Sequence, residues 1–322
     1  MDQRQIDALI DAIVDALKHG QPAKSPFPPS LPDIGRKVDS AFTQQETQST
    51  KRDGTEGKGS PDISLDLPDL TLRDARKKAW IEKPANPEAL RALMGTTPAR
   101  IGIGRAGARY RNIPQLTFMA DFAITQDALF KEVDPGLLAE FGMFEVQTKV
   151  KDRQEYLLRP DLGRTLSEDA KKMLQERCIK QPDVQVYIAD GLSTTAVEHN
   201  LRDIFPVIQQ GLQQAGLKMG TPFYVKYGRV GLMNDVNAIV DAKVVVTLLG
   251  ERPGLGRADA MSVYMGYRPQ PDSTDAERDV VCNIYNGGTN PLEAGAYVVE
   301  FIKKMIQYQA SGIKLKLATS GK

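Results

Sequence analysis

The sequence predicts an α/β fold: a C-terminal, Rossmann-like, largely parallel sheet with flanking helices, preceded by a small helical domain and a disordered N-terminal linker. Three observations predict it. Residues 244–249 (Val-Val-Val-Thr-Leu-Leu) form an apolar, largely β-branched run without polar alternation. That is the pattern of a strand buried on both faces, and such strands belong to parallel sheets covered by helices. From Pro182 onward, strand patterns alternate with helical ones, which implies parallel neighbours joined by right-handed crossovers. Residues 21–68 instead hold Pro, Ser, Thr, Gly and charged side chains with no periodic apolar positions. They cannot bury enough surface to offset their chain entropy.

Each element follows from its own pattern. In residues 1–20, Ile6, Leu9, Ile10, Ile13, Val14 and Leu17 recur at three- and four-residue steps and gather on one helix face. Asp2 caps that helix and Gly20 ends it. An apolar face stranded beyond the linker 21–68 reads as a docking peptide for a partner's groove. Residues 69–181 read as a helical domain with little strand signal, its amphipathic segments lying at 70–81, 87–97, 116–133, 135–144 and 167–179. Within it, Gly102-Ile-Gly104-Arg-Ala-Gly107 satisfies G-x-G-x-x-G to the letter. A dinucleotide fingerprint needs a strand before that motif and a helix after it, and neither is expected here. The stretch is a basic loop in which Arg100, Arg105, Arg109 and Arg111 cluster, a composition that suits a protein interface.

Residues 182–322 carry the alternation. Strands are expected at 184–190, 221–227, 243–249, 262–267 and 281–285. Helices are expected from the Ser193/Thr194 turn through about 214, at 235–240 and at 293–309. The loops after the strands crowd one edge: Asp190-Gly-Leu-Ser193, Tyr227-Gly-Arg-Val230, residues 250–256 (Gly-Glu-Arg-Pro-Gly-Leu-Gly) and Asn286-Gly-Gly-Thr289. In open α/β sheets ligands bind at that edge. The glycines of 250–256 let backbone approach a large flat ligand, and Glu251 offers an acceptor to amide donors. That loop does not match the phosphate-binding G-x-x-x-x-G-K-[ST], and its carboxylate would repel an anion. The plainer alternative is a tight turn around Pro253.

Composition narrows the function. Lys plus Arg number 42 against 41 Asp plus Glu, a net charge of +1. That balance gives no electrostatic reason to expect nucleic acid or an anionic membrane as partner. Cys178 and Cys282 are the only cysteines and lie far apart, which fits a reducing compartment and excludes a cysteine-based zinc site, while one disulfide between them stays open. With no signal peptide and no span of about 18 apolar residues, a soluble, cytoplasmic protein is expected. Catalytic constellations are nearly absent. His199 lies mid-helix, and Asp190 and Glu251 are the one acid–base pair to weigh; Cys282, beside a Gly-Gly turn, reads as packing.

The loops quoted above, with Gly220-Thr-Pro-Phe-Tyr-Val-Lys-Tyr-Gly-Arg-Val230, residues 244–256 and Cys282-Asn-Ile-Tyr-Asn-Gly-Gly-Thr289, resemble the small subunit of ethanolamine ammonia-lyase. So do Gly104-Arg-Ala-Gly-Ala-Arg109, Leu158-Arg-Pro-Asp-Leu-Gly-Arg164 and Ala310-Ser-Gly-Ile313, so the resemblance runs from about residue 69 to the end. It implies an adenosylcobalamin enzyme that converts ethanolamine to acetaldehyde and ammonia by a radical mechanism. By the same resemblance, a large subunit carries the barrel and the substrate, while this chain covers part of the cobalamin through Val230, Glu251 and Cys282. Val230 would supply backbone and apolar contact, Glu251 would accept from a corrin amide, and Cys282 would pack without ligating cobalt. No catalytic residue or metal ligand is then expected in this chain. The surroundings of His199 do not fit D-x-H-x-x-G, so the cofactor should keep its own benzimidazole on cobalt. The first helix resembles encapsulation peptides, which implies contact with a bacterial microcompartment shell and residence inside it; the linker here is longer than in many such chains. Two other classes remain: a stand-alone enzyme for a nucleotide-like ligand, and a non-catalytic adaptor.

Overall fold

The strand that the apolar run predicts lies inside the sheet: all seven residues of Val244–Gly250 are buried. The structure, a computed structural model, describes residues 78–320 apart from positions 98 and 255. The helix expected at 1–20, the linker 21–68 and most of the segment 70–81 lie outside the described residues.

In chain order the elements are α1 (Pro87–Thr96), the short strands β1 (Arg105–Ala106) and β2 (Arg109–Tyr110), α2 (Asn112–Phe130), α3 (Pro135–Glu140) and β3 (Phe144–Gln147). Next come α4 (Arg153–Leu158), a 3-10 turn at Leu162–Arg164, α5 (Glu168–Arg177), β4 (Val184–Ala189), α6 (Thr194–Gln214), β5 (Phe223–Lys226) and α7 (Leu232–Val240). The chain continues with β6 (Val244–Gly250), β7 (Met261–Tyr267), a second 3-10 turn at Asp275–Glu277, β8 (Arg278–Ile284), α8 (Pro291–Tyr308) and α9 (Gly312–Ser320).

Six strands make one sheet in the order β3-β5-β4-β6-β7-β8. The first four run parallel, and β7 and β8 follow as antiparallel neighbours. Helices cover both faces. On one, α6 and α8 lay Leu201, Ile204, Ile208, Val298 and Ile302 against Val186, Ile188, Val246 and Val263. On the other, α5 and α7 pack Leu174, Leu232 and Val236 against Tyr187, Phe223, Val225 and Val245. Truncating a fully buried aliphatic such as Ile204 in such a layer costs about 2–5 kcal/mol, the transfer term plus the cavity left behind.

Local chemistry sets the boundaries. The Ser193 hydroxyl accepts from the Ala196 amide and caps α6, while Asn290 caps α8 with Pro291 in its first turn. Asp241, in the left-handed region at φ 54°, ends α7 and lets the chain turn into β6.

One expectation needs correction. Residues 144–147, inside the stretch read as mainly helical, form strand β3 and pair in parallel with β5. Phe144 and Val146 are buried and Glu145 is exposed, the alternation of an edge strand. Four residues are too few for that pattern to stand out between two helical segments.

Candidate functional site

Where β4, β5 and β6 end, the chain leaves the sheet in opposite senses, α6 covering one face and α7 the other. The crevice between those exits is a cleft of about 460 Å³. Its walls are Gly191 and Leu192 after β4, Arg229, Val230 and Gly231 after β5, and Leu249, Gly250 and Glu251 at the end of β6. Tyr264 on β7 and Val280 on β8 extend it across the antiparallel strands; Tyr156 on α4 and Arg164 close the other side. The edge chosen from the loop pattern is therefore where the cleft lies.

Of the three residues expected to touch a ligand, two line this cleft. Val230 is half-buried and packs on the α7 layer. Glu251 is half-buried, and the Tyr264 hydroxyl donates to its Oε1 at 2.7 Å. Burial, then the Glu251 carboxylate, push the Tyr264 hydroxyl well above its ordinary pKa, so it stays a donor. Cys282 is exposed and not among the lining residues; it lies two positions beyond Val280 on the same strand, at a register shift in the β7–β8 pairing. Cys178 is buried, its thiol pushed up to about 11 by burial, and both thiols are free. His199 is exposed on α6 and does not line the cleft.

Asp190 has a different task. Its Oδ1 accepts from the amides of Tyr227 at 2.7 Å and Gly228 at 3.3 Å, and its Oδ2 accepts from Arg153 at 2.8 Å. The second Arg153 nitrogen donates to the Gly191 carbonyl at 2.8 Å. The pair is buried and ties the loop after β5 and helix α4 to the end of β4. Burial lifts the Asp190 carboxyl to about 6, against the opposing pull of Arg153 and the two amides. Asp190 is thus bound to Arg153 and Glu251 to Tyr264, so each of the two carboxylates has a partner of its own.

The glycines also resolve residue by residue. A Cβ on Gly250 would run into the carbonyl oxygens of Ser193 and Asp190, and one on Gly191, at φ +55°, into the Gly250 carbonyl. These two are glycine so that neighbouring loops can touch each other, rather than so that a ligand can approach. The Leu192 amide donates to the Gly250 carbonyl at 2.9 Å across that contact.

The basic loop contains no dinucleotide fingerprint: Gly107 turns the hairpin between β1 and β2, and Gly104 sits against the Trp80 backbone. Arg100 pairs with buried Asp121 and lies over the Phe118 ring, and Arg111 pairs with Glu82. Arg105 stacks on Tyr110 at 4.5 Å and, with Arg109, is exposed. Sequence reasoning passed over Tyr156, Arg164, Arg229, Tyr264 and Arg278 as site residues. Arg164 and Arg229 were visible at the ends of quoted motifs; the others reach the cleft only through the fold.

Comparison with known proteins adds a second line. A family model described as ethanolamine ammonia-lyase light chain (EutC) matches residues 87–316. The ethanolamine ammonia-lyase small subunit of Clostridium perfringens is 44% identical over 250 residues, with 78% of this chain and 85% of that protein covered.

Proposed function

We propose, for a chain that belongs to the ethanolamine ammonia-lyase light-chain family, that its sheet-edge cleft covers part of adenosylcobalamin while a large subunit holds the substrate. The observation that carries this is the meeting of Val230 and Glu251 in one cleft, with Tyr264 fixing the carboxylate. The residues fit such a group. Leu192, Val230, Leu249 and Val280 offer an apolar wall to a flat macrocycle, and Glu251, with one oxygen held by Tyr264, keeps the other for an amide on its rim. Cys282, at the far end of the wall containing Val280, would pack against its edge.

When bound, adenosylcobalamin supplies radical chemistry through homolysis of its cobalt–carbon bond. This chain's share is positional. Tyr264 orients Glu251, the Arg153–Asp190 tie holds the loops after β4 and β5 at a fixed spacing, and the apolar wall excludes water from one side of the site. The stand-alone enzyme alternative would need its own acid–base groups in the cleft, and the engagement of both carboxylates argues against it. Residues 1–20 we read as the peptide that draws the complex into a bacterial microcompartment. A 21–322 variant should lose co-sedimentation with isolated shells, and retention would reject that role.

The test uses the complex with the large subunit. Glu251→Ala should weaken cobalamin retention about tenfold, the effect of losing one hydrogen bond to a charged acceptor, with the substrate KM unchanged. Normal cobalamin affinity with a raised KM would reject the assignment. A complex that binds no cobalamin would favour the adaptor.

A further inference from the structure

A second cleft of about 540 Å³ adjoins the first and shares Arg164, Gly231, Asp275 and Arg278 with it; Glu251 does not line it. The charges at the junction are unequal in their engagement. Arg278, with only 7% of its side chain exposed, pairs with Asp275 and donates to Asn234 Oδ1 at 2.9 Å. Asp235 accepts from the Leu166 amide at 2.7 Å. Arg229 donates to the Tyr156 carbonyl at 2.7 Å and lies over that ring, but its buried Nε has no partner among the described residues. Arg164 is exposed and forms no ion pair with a carboxylate among the described residues.

The stem of Arg164 nevertheless passes close against backbone. A Cβ on Gly231 would sit 3.2 Å from both Cγ and Cδ of Arg164 and 3.6 Å from its Nε. The arginine stem therefore crosses the bare Cα of Gly231 and carries its guanidinium to the junction of the clefts. Gly231 is also the N-cap of α7 and provides no side-chain cap. A planar guanidinium beside a glycine gap, with no carboxylate paired to it, in a wall shared by two clefts, is suited to an oxyanion such as phosphate.

We propose that Arg164, with Arg229 beside it, contacts a phosphate ester on an arm of the corrinoid whose ring lies in the first cleft. This rests on the cobalamin reading given above. Discrimination then comes from the two clefts separately: the Glu251 wall reads the ring's amides, and the Arg164 junction reads the anionic arm.

Cobinamide and cobinamide phosphate differ by that group alone, so equilibrium dialysis of each against the complex with the large subunit isolates the contact without any turnover. The wild-type complex should bind cobinamide phosphate roughly tenfold tighter than cobinamide, the increment of one charge-assisted contact. Arg164→Gln should remove that preference, weakening cobinamide phosphate about tenfold more than cobinamide, and Arg164→Lys should keep part of it, since a point charge replaces a fork. Equal losses for both corrinoids in the Gln and Lys variants would make Arg164 a shaping residue and overturn the proposal. So would a wild-type complex without preference, which is also the result expected if free inorganic phosphate occupies the junction. A complex that binds neither corrinoid overturns the cobalamin reading itself, and this proposal with it.

Discussion

Tyr264, on β7, and Glu251, the first residue after β6, lie thirteen positions apart and meet through a 2.7 Å hydrogen bond. A half-buried carboxylate with two lone-pair-bearing oxygens can rotate; a hydroxyl that cannot ionise at working pH removes that freedom. Tyr264→Phe should therefore weaken cobalamin retention by the complex about three- to tenfold, less than Glu251→Ala, without altering the substrate KM. Retention unchanged from wild type, measured by equilibrium dialysis, would show that Glu251 needs no orienting partner. The sequence placed Glu251 at the ligand edge because that residue opens a glycine-rich loop. It was silent on Tyr264 because an aromatic in a strand looks like packing until the register with β6 and β8 is known: Thr247 and Val280 flank it. The same limit applies to Asp190, whose buried guanidinium partner comes from a short helix 37 positions earlier. Removing either member would leave a buried charge unpaired, at a cost of about 3–5 kcal/mol.

Strands were legible in proportion to their burial. The central strands β4 and β6 are buried at every position and appear in the sequence as mainly apolar runs, interrupted by Gln185 in one and Thr247 in the other. The edge strand β3 was not recognised, since only alternate residues face the core and four residues repeat too little. At the opposite end of β4, Asp183 joins elements that pattern alone leaves separate. It accepts from the Lys243 ammonium at 2.7 Å, just before β6, and from the Lys218 amide at 2.8 Å, after α6. The Lys243 hydrogen bond, then the Lys218 amide, hold its carboxyl below the ordinary range. A depressed carboxylate stabilises the fold fully above its unfolded pKa, about 4, and that contribution disappears as pH falls through the folded value. Asp183→Asn should thus lower the unfolding free energy measured in urea at neutral pH by about 1 kcal/mol or less, because Lys243 is half-exposed, and the stabilities of the two proteins should converge in acid. A gap independent of pH would show that the ionised carboxylate is not the source.

Across the whole molecule, the α/β class, the sheet's parallel half and the sheet edge that carries the cleft could be read from the chain, as could the basic stretch 100–111 as an interface candidate, whereas the apolar face beside it could not. Helix α2 shows why. Its buried residues, Pro114, Thr117, Asp121 and Ala128, fall on one side, while Leu116, Met119, Phe122 and Phe130 are exposed at 48–59% on the other. An apolar helix has the same composition whichever side the core takes. Exposed large apolar side chains of this kind mark association surfaces, and with the basic hairpin Arg105–Tyr110 alongside in sequence this region is the one to test for contact with the large subunit. Phe122→Asp should abolish co-purification with that subunit while leaving the circular dichroism of this chain unchanged; undiminished co-purification would move the contact elsewhere. The seam between the loops that end β4 and β6 has a further consequence, in time rather than in space. Because the Leu192 amide is bonded to the Gly250 carbonyl and the Ser193 hydroxyl to that of Ala258, the floor of the cleft is finished when the sheet is finished. A ligand binding there would then wait for no loop to settle, and its arrival, followed by stopped-flow, should show one phase with no slow step after it.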